Sequence, residues 1–414
     1  MRGPGHFAWS RAWTVVALLF PVALLNYLDR QMLATMRPSI VADLPALALQ
    51  ADWGLALGMF KWTYALLSPA GGWAADRWGR APVIAGSLLV WSAVTWWTGH
   101  VGGFGELLAA RAAMGLSEAC YFPAALALIA DHHGPGTRSR ATGWHQTGVY
   151  CGQILGGFAG YAAASPGWGW RGTFAACGGL GMAYAVPLFF GLRAAATPSR
   201  PTSPLTVAAG AEPAAGRRAL WANRNFRLLL LYFTLPAIAG WIVRDWMPAI
   251  LRERFGLGQG QAGVSAVLFV QVAALVGVVL GGVAADRWAR RTVRGRIFTS
   301  ALGVLLFLPA LVSVGFADRL PVALLGLVLF GLGWGCFDGN NMPILCQIVP
   351  AGARATAYGW MNLVSLGCGG LGDWLFGVLR DRQVPLPAIF GVFAAIALVS
   401  VGIALRLRPT GKGE

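Results

Sequence analysis

Nine ionisable side chains stand inside or at the ends of long apolar stretches: Asp29, Arg30, Lys61, Arg111, Glu118, Arg244, Asp245, Asp338 and Asp373. A charge at the centre of a bilayer costs at least about 2.5–3.5 kcal/mol, so each must be paired, hydrated or neutralised. The chemistry open to such a set is proton binding and anion binding. A carboxylate whose surroundings change can load and release a proton. A guanidinium can grip a carboxylate with two hydrogen bonds, whereas an ammonium offers a point charge. Asp29 and Arg30 are chain neighbours, and neighbours on a helix diverge by about 100°. One can face a cavity while the other faces another helix; alternatively, the two neutralise Arg111 and Glu118 across a helix interface. Arg111 and Glu118 are seven residues apart, on one helix face and ~10 Å from each other. Pro123 can kink that helix just beyond Glu118.

Lys61 is one of only two lysines; the other is Lys412 in the tail. It shares a helix face with Tyr64. It can hold a substrate carboxylate, form an internal ion pair, or snorkel to the nearer interface. Arg244-Asp245 can form an ion-pair gate or an interfacial anchor. Gln146, Asn340, Asn341 and Asn362 supply neutral groups able to bond hydroxyls, or to pack helices. Asp373 has no partner that the sequence identifies. His145 can join a proton path or make a structural hydrogen bond.

The elements that must position these groups are membrane spans. Of 414 residues, 57% are hydrophobic and 12% charged, about half the charge of a soluble domain. Twelve spans are expected, at 12–37, 52–74, 82–100, 104–130, 140–163 and 170–192, then 226–251, 262–284, 295–315, 321–348, 354–380 and 386–406. Residues 1–192 form one six-helix bundle, 193–224 a linker, and 225–414 a second bundle. Fifty-seven glycines suit close helix packing. With both termini cytoplasmic, 21 of the 32 Lys and Arg residues lie inside and 7 in outside loops, as the positive-inside rule requires. The net charge of +16 is therefore mostly a topology signal. No basic stripe interleaved with exposed aromatics suggests nucleic acid. At least five of the six cysteines lie inside expected spans, with no pattern for a metal or redox centre. No nucleophile, nucleotide or zinc motif sits in a matching context, so an enzyme is not expected, and no cofactor is implied.

The nine residues from Gly72 to Arg80 recur almost letter for letter at 282–290, an offset of 210. Gly72, Asp76, Arg77, Gly79 and Arg80 in the first copy, and Asp286, Arg287 and Arg290 in the second, form two charged turns at matching places. A carrier built from two related halves explains the duplication. The repeated Gly-x-x-x-Asp-Arg-x-Gly-Arg resembles the loop signature of the major facilitator superfamily, and the resemblance covers the whole chain. Asn26-Tyr27-Leu28-Asp29-Arg30, Trp62-Thr63-Tyr64, Arg111 to Ala119 and Trp246-Met247-Pro248 are similar to the anion:cation symporter family. Spinster-like lipid transporters share the Asn-Tyr-Leu-Asp-Arg and Gly-x-x-Glu-Ala patterns. Thr147-Gly148-Val149 departs from the anion symporters, which often carry a Gln there; Gln146 or Gln153 can substitute. The lack of proline in the glycine-rich fifth span argues against drug/H⁺ exchange. The resemblance implies an all-helical fold working by alternating access. It implies proton coupling at Asp29 and Glu118, with H⁺ or Na⁺ as coupling ion and a small organic anion such as a sugar acid as cargo. It implies an organising role for Arg30. From the residues, substrate contacts are expected at Arg30, Lys61, Tyr64, Arg111, Gln146, Asn340, Asn341 and Asn362, and gating at the two charged turns. A single copy in a cell inner membrane is the expected working unit. The rival reading is a spinster-like carrier of lysolipids or other amphiphiles.

Overall fold

The computed structural model describes residues 11–195, 220–350 and 353–409. Helices α1 (Arg11–Asp43), α2 (Gln50–Trp78), α3 (Arg80–Thr98), α4 (Phe104–Glu118), α5 (Tyr121–His132), α6 (Pro135–Ala164) and α7 (Gly169–Ala195) make the first half. Helices α8 (Arg224–Phe255), α9 (Gln259–Ala289), α10 (Gly295–Leu305), α11 (Phe307–Phe316), α12 (Leu320–Ile348), α13 (Arg354–Asp381) and α14 (Leu386–Arg406) make the second. α4 and α5 are one interrupted span, as are α10 and α11, which gives the twelve spans expected from the sequence. The fourth span breaks at Ala119-Cys120, directly after Glu118, with Pro123 in the first turn of α5. Most of the expected 193–224 linker lies outside the described residues.

Ten spans are long and apolar enough to cross a membrane by length and composition. The other two, α2 and α6, are as long but more polar. Their placement explains the difference: α2 packs along α13 and α6 along α9, each in the other half. A helix shielded from lipid on one side can carry polar groups there. Close approach rests on glycine. A Cβ on Gly58 would lie 2.7 Å from the Gly370 carbonyl oxygen, and one on Gly157 would lie 3.3 Å from that of Gly263.

These contacts cluster at the end where α1 finishes and α2 begins, which the positive-inside rule expects to face outside and which is therefore called outer. There Asp381 of α13 accepts hydrogen bonds from the backbone N–H groups of Gln50 and Ala51 at 2.9 and 2.8 Å. A carboxylate from one half thus caps the first turn of a helix in the other. Ser39 of α1 donates to Gln259 of α9 at 2.9 Å, and Gln259 donates to the Gly160 carbonyl at 3.1 Å. At the inner end, ion pairs among the described residues stay within a half: Arg80 with Asp131, and Arg296 with Asp286. The hydrogen bonds named above that join the two halves lie at the outer end, the pattern that an inward-open state requires.

Candidate functional site

The Asn-Tyr-Leu-Asp-Arg run lies in the outer half of α1, and its two charges part company as helix geometry requires. Asp29 turns to α3 and accepts a 2.8 Å hydrogen bond from the Thr95 hydroxyl in a buried setting. Arg30 turns to α2 and α4. Its Nε donates to Glu118 Oε2 at 2.7 Å and its Nη2 lies 2.5 Å from the same oxygen. Glu118 is fully buried, while the Arg30 side chain keeps 15% of its surface exposed. The guanidinium sits among the rings of Tyr27, Phe60 and Tyr64, at 4.7, 4.7 and 5.0 Å from their centroids. Arg30 and Tyr64 are thus brought together with the expected coupling carboxylate. Arg111, expected to support Glu118 and to touch substrate, acts on Glu118 from nearby without a direct ion pair to it among the described residues. It is buried over the Phe60 ring at 4.8 Å, and its Nε has no partner among the described residues. The α1 arginine reached Glu118 because α1 packs beside the break that ends α4. His145 makes a 2.8 Å hydrogen bond with the Tyr121 hydroxyl, inside the wall.

Lys61 was expected among substrate contacts, with an internal ion pair as the alternative. The structure places it in the pair. Its ammonium lies 2.5 Å from Asp245 of α8 and also bonds Asp373 of α13. The Trp241 ring covers it at 4.4 Å. Three spans from both halves meet here, so Lys61 is part of the outer seal, and Asp373 gains the partner that the sequence did not reveal. Of Arg244-Asp245, read from the sequence as an ion-pair gate or an interfacial anchor, Asp245 pairs with Lys61 across the halves, and Arg244 lies on the Trp241 ring at 4.8 Å.

Away from the Lys61 cluster, polar groups of both halves come near one another. Gln146 lies beside Tyr150 on α6, and Asn362 beside Tyr358 on α13. Asp338 and Arg244 act on each other across the second half. Tyr27 is near enough to Tyr150 and Tyr358 to influence both. Asn340 is placed otherwise: it is buried and donates to the Cys336 carbonyl one turn back at 2.8 Å. Asn341 is also buried, and its amide lies beside the Asp338 carboxylate. Sequence reasoning passed over Tyr27, Tyr150 and Tyr358. For Tyr27 and Tyr150 the available signal was depth, since a membrane tyrosine away from the interfacial belts needs another use for its hydroxyl, whereas Tyr358 lies about one turn from the start of its helix.

The two charged turns lie at the inner end. Gly79 joins α2 to α3 with φ of 90°, a conformation that a side chain strains. Arg80 pairs with Asp131 and donates to the Ala127 carbonyl at 2.7 Å. In the second copy Asp286 faces Arg296 of its own half at 3.4 Å. Arg77, Arg287 and Arg290 are exposed. The side chains of Gly72 and Asp76 are outside the described residues.

The profile of the Major Facilitator Superfamily matches residues 19–372. The chain belongs to this superfamily. Within it, the chain is 28% identical to the human "Protein spinster homolog 1", over 90% of this chain and 74% of that one. It is 26% identical to the 3-(3-hydroxy-phenyl)propionate transporter of Escherichia coli, over 95% of this chain and 93% of that one. It is 27% identical to a probable sulfoacetate transporter of Cupriavidus necator, again over 95% and 93%. Among solved structures, a bacterial homolog to the human lysosomal transporter spinster, inward-facing and unoccupied, superposes with a TM-score of 0.77. That likeness is at 22% identity and covers 97% of this chain and 95% of that one. The facilitator fold accounts for the two six-helix halves, the absence of strands among the described residues, and the cavity between the halves.

Proposed function

We propose that this facilitator carries a small organic anion into the cell together with a proton, by alternating access across an inner membrane, as a single copy with both termini cytoplasmic. The observation that carries the reading is the Arg30–Glu118 pair. A partly exposed guanidinium among cavity tyrosines is held by a carboxylate with no exposed surface. Asp29, Arg30, Arg111 and Glu118 carry two positive and two negative charges, so the cluster is neutral. An anion entering alone would leave it at minus one in a medium that tolerates no bare charge. An anion and a proton entering together keep it neutral. Protonated Glu118 releases its hold, and Arg30 offers two N–H groups to the incoming carboxylate or sulfonate. Asp29, fixed to Thr95, is the second proton-bearing carboxylate. Tyr64, Gln146 and Asn362 complete the contacts, while Lys61, Arg111, Asn340 and Asn341 support the wall from behind.

The relatives named for 3-(3-hydroxy-phenyl)propionate and sulfoacetate are named for anions, which supports the cargo class. The spinster resemblance supports a second reading, carriage of a lysolipid or other amphiphile. The test is uptake by proteoliposomes under an imposed pH gradient, with 3-phenylpropionate, sulfoacetate, glucuronate and lysophosphatidylcholine as probes. Gradient-driven accumulation of one of the three anions is expected. Accumulation of lysophosphatidylcholine alone selects the second reading, and uptake of an anion indifferent to the gradient overturns proton coupling.

A further inference from the structure

The Lys61 site is unbalanced: one ammonium serves two carboxylates. Lys61 bonds Oδ2 of Asp245 and Oδ2 of Asp373, and the exposed fractions of the three side chains are 4%, 11% and 0%. The other oxygen of Asp373, Oδ1, is buried and makes no close hydrogen bond; the neutral indole N–H of Trp246 is the nearby donor, and it brings no charge. Neighbouring cations do not make up the deficit. Arg244 turns onto the Trp241 ring. Arg111 on α4 acts on Asp245 but is shared with Glu118 and Asp29. From α1, Arg37 lies over Trp53 and Trp246 and answers Glu253 and Asp381. Asp245 is the carboxylate that acts most on Asp373.

We propose that Asp245 and Asp373 are a proton site of the outer gate: the gate shuts around Lys61 with one proton held between the two carboxylates, and opens as that proton leaves to the outside. Two carboxylates sharing a buried site do not both ionise. With Lys61 charged, a single proton makes the triad neutral. When the halves part, water reaches all three groups and the need for the proton disappears. Hard metal cations call for a shell of oxygens, and here Lys61 already occupies one oxygen of each carboxylate. This inference rests on alternating access as read above, but not on Glu118. Because the shut state holds the proton more tightly, low outside pH favours shutting and rising pH favours opening. One linked proton changes the shut-to-open ratio by up to about tenfold per pH unit.

The experiment uses the full chain in nanodiscs, its six cysteines replaced, with nitroxides introduced at the exposed positions Leu49 and Arg382. Electron–electron distances are measured from pH 5 to 9. The wild-type background is expected to pass from a short to a long separation as pH rises. Asp373→Asn, neutral with Lys61 and Asp245 alone, is expected to stay short throughout. Lys61→Gln, which leaves two bare carboxylates, is expected to shift the passage to lower pH. Glu118→Gln, which frees Arg111 toward Asp245, is expected to keep a pH-dependent passage, so failure of the Glu118 coupling is read separately, in uptake. Asp245→Asn repeats the Asp373→Asn arm if the latter is not monodisperse. A pH-independent wild-type distance, a response surviving both Asp→Asn changes, loss of the response in Glu118→Gln, or closure by Na⁺ at fixed pH each overturns the proposal.

Discussion

Replacing Glu118 with Gln removes one charge and almost no volume. In the wild type the carboxylate holds Arg30 through contacts of 2.7 and 2.5 Å. Hydrogen bonds to charged groups contribute about 1.5–3 kcal/mol, and neutral ones about 1. An amide oxygen keeps the weaker bond, so the competition that an incoming anion must overcome falls by about 1–2 kcal/mol, roughly a 5- to 30-fold gain in affinity. The gain appears only where wild-type Glu118 is ionised. Anion affinity in the wild type is therefore expected to fall as pH rises, because the ionised carboxylate reclaims Arg30. The variant is expected to bind tightly and with little pH dependence. Calorimetric titration of whichever of 3-phenylpropionate, sulfoacetate and glucuronate is taken up, at pH 5.5 and 8, measures both. Counterflow is expected to persist and gradient-driven accumulation to stop. A variant whose affinity follows the wild-type pH curve refutes the competition between Glu118 and the anion for Arg30.

Arg30→Lys keeps the charge but loses the fork and the ring stacking, and is expected to weaken anion binding by about 1–3 kcal/mol; the same titration checks it. Gly58→Ala drives a Cβ against the Gly370 backbone, and overpacking of this kind costs about 1–3 kcal/mol. It is expected to favour the outward-open state, read as increased labelling of a cysteine placed in the outer vestibule. Asp381→Ala removes the cap that α13 places on α2. The expected loss is about 1 kcal/mol of outer closure, visible as faster amide exchange in the first turn of α2.

The spans were legible because a length of about 20 apolar residues is a local property of the chain. So was the parting of Asp29 and Arg30, which helix geometry fixes. Pairing was not local. Arg111 and Glu118 share a helix face, which made them natural partners, yet their ~10 Å separation along the axis left Glu118 open to Arg30, 88 residues away. Lys61 and Asp373 are 312 residues apart, and no window of sequence spans both. A trace of their pairing was nonetheless present: an aspartate in the apolar eleventh span needs a cation, and Lys61 was the sole lysine within the spans. The polarity of α2 and α6 had a similar meaning, since a span that is poor in apolar surface has protein on one side.

That separation also sets an order of events in making the protein. Lys61 enters the membrane with α2, but Asp373 is synthesised 312 residues later. At roughly 5–20 residues per second, the ammonium waits about 15–60 seconds for that carboxylate. Until Asp245 arrives 184 residues after it, the first half is a bundle with an orphan charge on the face that the second half will cover. A ribosome that stalls or a chain cut before α8 leaves that charge without either carboxylate in the bilayer, a mark by which membrane quality control can tell an unfinished carrier from a finished one.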